Sequence, residues 1–99
     1  MFMFVRTNNP RPTFAIDMTE DERAVMTRHA AYWTEQARIG VAVVFGPVAD
    51  PAGVYGIGVY RVDDEAHMRR LLDGDPAKGL LEYEAFPMPR AVVAGPSSD

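Results

Sequence analysis

Apolar residues along this chain recur with helical spacing in one long segment and fill short runs elsewhere. The helical segment extends from Thr19 to Gly40. At about 100° per residue its apolar positions form one narrow stripe, which consists of Met26, Ala30, Trp33 and Ala37. We therefore expect this segment to be the main helix of the domain.

The ends of this helix carry capping signals. Thr19 is followed three residues later by Glu22, so each side chain can accept a hydrogen bond from the other residue's backbone N–H. Gly40 can adopt the left-handed conformation that ends a helix. His29 lies at the border of the apolar stripe, where a polar side chain can face a cleft.

The short apolar runs predict four strands. They are Met1 to Thr7, Val41 to Phe45, Val54 to Val62 and Leu80 to Met88. The first two are apolar on both alternating sets of positions, which is typical of strands covered on both faces. A second helix is predicted from Asp63 or Asp64 to about Asp73, before Gly74.

Glycines interrupt the third predicted strand on one side only. Gly56 and Gly58 lie on the face opposite Tyr55, Ile57 and Val59. Glycine within a strand weakens it and usually indicates a bulge or a close approach by another group. We expect a shallow floor on that face of the sheet.

The connections between these elements are rich in turn-forming residues. Residues 8–18 contain two prolines and predict an irregular loop, and residues 46–53 predict the turn of a hairpin. Asp75-Pro76 suits the start of another short turn. The segment from about 90 to 99 is predicted to be a flexible tail.

The predicted order of elements is strand, helix, strand, strand, helix, strand. This is the βαββαβ pattern of α+β ferredoxin-like folds, with a four-stranded antiparallel sheet and both helices on one face. Because the first two strands are apolar on both sides, the second face should also be covered. We expect a homodimer with sheets packed face to face; the alternative is a monomer in which loop and tail cover the sheet.

Composition restricts the remaining possibilities. The 99 residues suffice for one domain, spanning 1–99, and the formal net charge of −4 argues against nucleic acid or an anionic membrane as a partner. No apolar run reaches the roughly 20 residues of a membrane span, and no secretory leader is recognisable, so we expect a cytoplasmic protein. The absence of cysteine excludes disulfides and thiolate chemistry.

Several local motifs occur in an order that resembles the YCII-related domain. They are Arg28-His29, VAVVF before Gly46-Pro47, GVYGIGVYRV, and Gly74-Asp75-Pro76. The resemblance covers nearly the whole chain and implies the dimeric α+β barrel fold. It also implies an active site built on a histidine and an aspartate, which correspond to His29 and Asp75. One relative of this kind removes chloride from a chlorinated hydroxyhydroquinone.

His29 and Asp75 are therefore the candidate catalytic residues. A histidine exchanges protons near neutrality, since its ordinary pKa is about 6.5, and a carboxylate partner fixes its tautomer. Each residue also has a purely structural interpretation. The histidine could satisfy a backbone carbonyl, and an aspartate before proline is most often a helix or turn cap.

Four further residues are candidates for substrate binding. Tyr32 and Trp33 could form an aromatic wall one turn after His29, Arg6 could hold a carboxylate or phenolate, and Tyr83 could reach the same cleft. Arg11 ranks below Arg6. The second histidine, at position 67, does not complete a ligand pattern, so we expect no metal site.

These residues lead to a hypothesis of a cofactor-independent enzyme for a small-molecule ligand. It would use His29, oriented by Asp75, for proton transfer on a small ring compound, in an elimination or isomerisation typical of lyases and isomerases. One alternative is a ligand-binding or accessory module without chemistry. Another is a purely structural dimerisation domain, which predicts no pocket beside the histidine.

Overall fold

A computed structural model describes residues 1–95 of the chain. Its elements are β1 (Phe2–Asn8), α1 (Phe14–Asp17), α2 (Glu20–Arg38), β2 (Ala42–Val48), β3 (Tyr55–Arg61), α3 (Glu65–Asp73) and β4 (Glu82–Pro87). The strands form one antiparallel sheet in the order β2-β3-β1-β4. This confirms the predicted ferredoxin-like α+β fold, with the first and third strands at the centre. Part of the predicted tail, residues 96–99, lies outside the described residues.

The ends of the helices follow the capping signals in the sequence. The Thr19 hydroxyl accepts from the Glu22 backbone N–H at 3.1 Å, and the Glu22 carboxylate accepts from the Thr19 N–H at 2.9 Å. Gly40, just past α2, has a φ of 84°, which is a left-handed conformation that favours glycine. At the start of α3 the Asp64 carboxylate accepts from the His67 N–H at 2.7 Å.

Both long helices pack on the same face of the sheet. Met3 and Val5 of β1 and Tyr60 of β3 point to this face and are buried against Trp33 of α2 and Met68 of α3. A smaller cluster joins α1 to the turn after α3, through Phe14, Ala77 and Leu81. The two clusters leave an open space between α1, α2 and the sheet.

Three boundaries differ from the predictions. Residues 14–17, expected to be irregular, form the short helix α1, because Phe14 anchors a single turn in the smaller core cluster. Strand β2 continues through Pro47 to Val48. This is possible because β2 lies at an edge of the sheet, where the nitrogen of proline, which has no hydrogen to donate, can face away from the neighbouring strand. Strand β4 begins at Glu82, and Leu81 packs in the preceding turn.

The predicted apolar stripe of α2 is only partly buried. Trp33 is buried and Met26 is half-buried, whereas Ala30 and Ala37 are exposed. Ala30 instead lines the open space beside the helix. The helix therefore uses its large side chains for the core and a small one beside the cleft.

The opposite face of the sheet carries no helix in residues 1–95. Val44 and Phe86 on this face are 50% and 53% exposed, and Phe4 and Val59 between them are half-buried. Apolar groups on all four strands therefore form a continuous surface. Within the same residues, no helix combines the length and apolar character needed to cross a bilayer.

Candidate functional site

The carboxylate of Asp75 accepts hydrogen bonds from four groups. The donors are His29 Nδ1 at 2.8 Å, Trp33 Nε1 at 2.8 Å, the Tyr83 hydroxyl at 2.7 Å and the Ala77 backbone N–H at 2.8 Å. The side chain of Asp75 is fully inaccessible to solvent. A buried carboxylate with four donors is well satisfied, so this cluster joins α2, the turn after α3 and β4 at one point.

The backbone after α3 brings Asp75 to this position. The helix ends at Gly74, and the next residues form a turn in which the Asp75 Oδ1 atom accepts from the Ala77 N–H. This is the capping role that the sequence suggested. Because both carboxylate oxygens also lie within 2.9 Å of His29 Nδ1, the same side chain caps the turn and contacts the imidazole.

The surroundings of Asp75 favour its ionised form. Burial by itself raises the pKa of this carboxyl, but the hydrogen bonds from His29, Ala77, Tyr83 and Trp33 outweigh burial, and the pKa lies below its ordinary value. Burial and then the bond to Asp75 raise the pKa of Tyr83 far above the ordinary value for tyrosine. The phenol therefore stays protonated and acts as a donor.

The ionised carboxylate determines which nitrogen of His29 is available. A carboxylate can only accept hydrogen bonds, so Nδ1 must carry a proton. In the neutral imidazole the other nitrogen, Nε2, is then unprotonated and can accept a proton. The His29 side chain is 17% exposed and lines the cleft, so a ligand in the cleft can approach the ring.

The cleft beside His29 has a volume of about 300 Å³. This is the lower end of the range for small-molecule pockets and suits one ring with small substituents. Its walls come from all four strands, the three helices and the turn before β4. They consist of Phe14, Met18, Met26, Ala30, Trp33, Phe45, Gly56, Tyr60, Leu81, Tyr83 and their neighbours.

The structure brings together four of the six candidate residues. His29, Trp33 and Tyr83 line the cleft, and Asp75 lies behind them. The Tyr32 hydroxyl instead donates to the Leu71 carbonyl at 2.7 Å, on the side of α2 that faces α3. Consecutive helical residues point about 100° apart, so Trp33 faces the cleft and Tyr32 does not.

Arg6 lies on the opposite face of the sheet from the cleft. Its guanidinium is 3.8 Å from the centre of the Tyr55 ring, and its Nε donates to Asn8 at 3.0 Å. Val5 and Thr7, its neighbours in the strand, line the cleft. Side chains alternate between the two faces of a strand, so Arg6 points away from the cleft.

Tyr60 lines the cleft and was not among the candidates. It is 4% exposed and packs against Trp33, with ring centres 4.7 Å apart. A methyl group on Gly58 would overlap the Tyr60 hydroxyl, so the glycine leaves room for the ring to lie along β3. The sequence signal that could have identified Tyr60 was the pair of glycines at positions 56 and 58, because they predicted a close approach on the face of the strand that Tyr60 shares.

The described residues contain no group of three or more histidine, aspartate or glutamate side chains that could hold a metal ion. Among the described residues that line the cleft, His29 alone carries a basic nitrogen, whereas burial raises the pKa of Tyr60 and of Tyr83, so both phenols keep their protons. An imidazole paired with a buried carboxylate is an arrangement that suits general acid or base chemistry.

Similarity to solved structures agrees with the fold. The chain is similar to the 5-chloro-2-hydroxyhydroquinone dehydrochlorinase of Burkholderia phenoliruptrix AC1100 in complex with 2,5-dihydroxybenzoquinone, with a TM-score of 0.68, 11% identity, and coverage of 92% of this chain and 96% of that one. It is also similar to SnoaB, a cofactor-independent oxygenase from Streptomyces nogalater, with a TM-score of 0.53, 19% identity, and coverage of 92% and 95%. At these identities the likeness shows the fold alone.

Comparison with protein families is more specific. No curated protein matches the chain. The model of the YCII-related domain, in contrast, matches residues 1–88, which include all the strands and helices described above. This protein therefore belongs to the YCII-related domain family.

Proposed function

We propose that the protein is an enzyme that transfers a proton on a small ring compound, with His29 as the general base and acid. The observation that carries the proposal is the 2.8 Å contact between His29 Nδ1 and a buried Asp75, at the wall of a cleft of about 300 Å³. Asp75 holds the imidazole in one tautomer and stabilises the imidazolium that forms. In this role Asp75 is a positioning residue.

The reaction type that we propose is elimination or isomerisation. Nε2 takes a proton from the substrate, and the released electron pair forms a double bond. In an elimination a leaving group departs with its bonding electrons; in an isomerisation the imidazolium returns the proton to another atom. Neither reaction consumes an oxidant or reductant, so the proposed chemistry requires no cofactor.

Turnover of a chlorinated hydroxyhydroquinone is the first assay. The similar fold of a dehydrochlorinase motivates this choice, together with a cleft sized for one ring. A screen of other phenols, lactones and carboxylic acids by thermal shift would extend it. Chloride release or the ultraviolet spectrum of the product would report turnover.

The decisive variant is His29→Gln, which removes the proton-exchanging group. Loss of a general base typically lowers kcat by about 10²- to 10⁴-fold. The matched control is His67→Gln, because His67 is a second histidine that accepts from the Asp63 N–H outside the cleft. A folded His29→Gln variant that retains full turnover would refute the proposed mechanism.

A non-catalytic binding module is the second candidate function. It is favoured by the four hydrogen bonds of Asp75, because a carboxylate that joins three parts of the fold has a structural role even without chemistry. This alternative predicts ligands that bind in the cleft and are recovered unchanged. The same screen, followed by mass spectrometry of the ligands, distinguishes the two.

We also propose that the protein forms a homodimer through the open face of the sheet and acts in the cytoplasm. The exposed Val44 and Phe86 support the first point, since a second copy would cover this apolar surface. Phe86→Asp should yield a monomer in sedimentation analysis. Ile16→Asp, at a residue of α1 that is 88% exposed, should not change the mass. A wild-type monomer at micromolar concentration would contradict the dimer.

A further inference from the structure

We infer that the cleft selects uncharged ring ligands that carry an oxygen substituent, and that the Tyr60 hydroxyl donates a hydrogen bond to that oxygen. This inference deepens the proposed function, since it concerns the same cleft, but it requires only binding. Three observations carry it: the position of Tyr60, the lack of an internal partner for its hydroxyl, and the charge of the cleft wall.

The ring of Tyr60 extends from β3 towards the cleft. It lies over Gly58, two residues earlier on the same face of the strand, and its hydroxyl is the atom nearest to a side chain that would be placed there. Gly56, a further two residues back, forms part of the cleft floor. The hydroxyl end of Tyr60 is therefore the end directed to the cleft.

The hydroxyl of Tyr60 has no hydrogen-bond partner among residues 1–95, in contrast to that of Tyr83, which donates to Asp75. No side-chain polar atom in this part of the chain is both fully buried and without a partner. The Tyr60 hydroxyl consequently retains contact with the space of the cleft, although the residue as a whole is 4% exposed. A nearly buried phenol in this position can donate to a ligand at little cost in side-chain entropy.

Apart from His29, the wall of the cleft has no side chain that can carry a positive charge. None of the ten lysine and arginine residues lines it, nor does any aspartate or glutamate, and the buried carboxylate of Asp75 lies directly behind His29. An anionic ligand would lose its hydration without gaining a lysine or arginine partner, and the carboxylate of Asp75 behind His29 would repel it. A neutral oxygen, in contrast, can accept from Tyr60 while the ring contacts the apolar wall.

Three fluorinated probes of similar size test this inference by ¹⁹F NMR at pH 7. Fluorobenzene has no polar substituent, 4-fluorophenol has a neutral hydroxyl, and 4-fluorobenzoate is an anion. We expect 4-fluorophenol to bind several-fold more tightly than fluorobenzene, since it gains one hydrogen bond, and about 10-fold or more tightly than 4-fluorobenzoate. Equal or tighter binding of 4-fluorobenzoate would overturn the selection of neutral ligands.

The variant Tyr60→Phe tests the assigned donor. It should reduce the affinity for 4-fluorophenol roughly 3- to 10-fold and leave that for fluorobenzene unchanged. Tyr32→Phe is the matched control, because the Tyr32 hydroxyl donates to the Leu71 carbonyl away from the cleft and its removal should alter neither probe. An unchanged ratio of the two affinities in Tyr60→Phe would overturn the role of Tyr60.

Two further measurements keep the test decisive. If Tyr60→Phe does not fold, nuclear Overhauser contacts between wild-type Tyr60 and 4-fluorophenol must be present, and their absence counts against the inference. Binding of none of the probes also overturns it. The proposed enzymatic function fails separately, through turnover that is insensitive to His29→Gln, so each idea can be rejected without the other.

Discussion

Replacement of Asp75 by asparagine should destabilise the protein strongly while changing its shape very little. Asparagine has one acceptor oxygen and one NH₂ group, whereas the carboxylate accepts on both oxygens. One oxygen of Asp75 receives the Ala77 N–H, and the other receives Trp33 Nε1 and the Tyr83 hydroxyl. In either orientation of the amide, its NH₂ therefore faces a group that can only donate.

The size of this effect follows from the burial of the site. Leaving a buried donor without an acceptor costs about 1–3 kcal/mol, and the remaining bonds lose their charge assistance. We expect a loss of about 2–4 kcal/mol in the free energy of unfolding. For a domain of this length, with a total of about 5–15 kcal/mol, that loss corresponds to a fall in Tm of roughly 10–25 °C.

Urea denaturation and scanning calorimetry at one fixed protein concentration measure this change, because dimerisation would make the apparent stability depend on concentration. Asp73→Asn is the matched control. Asp73 lies two residues earlier, is 56% exposed and pairs with Lys78 at the surface, so its replacement should cost less than about 0.5 kcal/mol. An Asp75→Asn protein within about 0.5 kcal/mol of wild type would refute the reasoning.

The same variant gives a test of pH dependence. The pKa of Asp75 is lowered in the folded state, so the stability due to its ionisation is present above its unfolded pKa, about 3.9, and is lost as the pH falls through the folded pKa. The difference in stability between wild type and Asp75→Asn should therefore shrink as the pH falls below about 4. A difference that grows with acid would contradict the assigned direction.

Three further predictions concern the surroundings of the cleft. Trp33→Phe removes the indole donor to Asp75 and should cost about 1.5–3 kcal/mol, measured by urea denaturation, with a smaller cost in an Asp75→Asn background. Gly58→Ala should cost about 1–3 kcal/mol and displace Tyr60, seen as a change in near-ultraviolet circular dichroism, because the added methyl overlaps its hydroxyl. Arg11→Ala should accelerate hydrogen exchange in α1, because this arginine bonds to both Asp17 and Glu22.

Each of these predictions has a control in the chain. Gly46→Ala should be tolerated better than Gly58→Ala, since no atom lies within 4 Å of the added methyl. Arg28→Ala removes an exposed arginine from α2 and should leave exchange in α1 unchanged. The prediction for Trp33→Phe is wrong if the loss of unfolding free energy is the same in wild type and in Asp75→Asn. The prediction for Gly58→Ala is wrong if Gly46→Ala costs as much stability. The prediction for Arg11→Ala is wrong if hydrogen exchange in α1 does not change.

The hydrogen bonds of Arg11 also predict that the attachment of α1 weakens in acid. The hydrogen bond from Arg11, followed by that from the Thr19 backbone, lowers the pKa of Glu22 to about 2. The contribution of this lowered pKa is present above the ordinary pKa of glutamate and is lost as the pH falls towards 2. Protection of α1 in hydrogen exchange should follow that window, and loss of protection near neutral pH would argue against an ionic attachment of α1.

The order of helices and strands was determined locally, and this is why the sequence predicted it well. The capping box of α2, the left-handed Gly40 and the cap at Asp64 depend on residues within a few positions of one another. The order of elements then restricts the topology through the right-handed crossover rule. The family resemblance, which covers the whole pattern, agreed with that fold.

The composition of the site depended on which face each side chain takes. Strand β1 is apolar on both sets of alternate positions, so its pattern does not indicate which side meets the helices, and Arg6 points away from the cleft. In α2 the apolar stripe correctly predicted that Trp33 is buried, and it placed His29 at the border of the buried face. Tyr32, one residue before Trp33, turns instead towards α3.

The sequence by itself determined the elements, their order and the presence of a histidine at the edge of the buried stripe of α2. Only the tertiary structure decided that Asp75 would accept from His29, Trp33 and Tyr83 together, and that Tyr60 would extend over Gly58 into the cleft. The physical reason is the sequence separation over which each kind of interaction acts. Caps and periodicity act over one turn or one strand, whereas these contacts join residues up to 46 positions apart and exist only after the helices pack on the sheet.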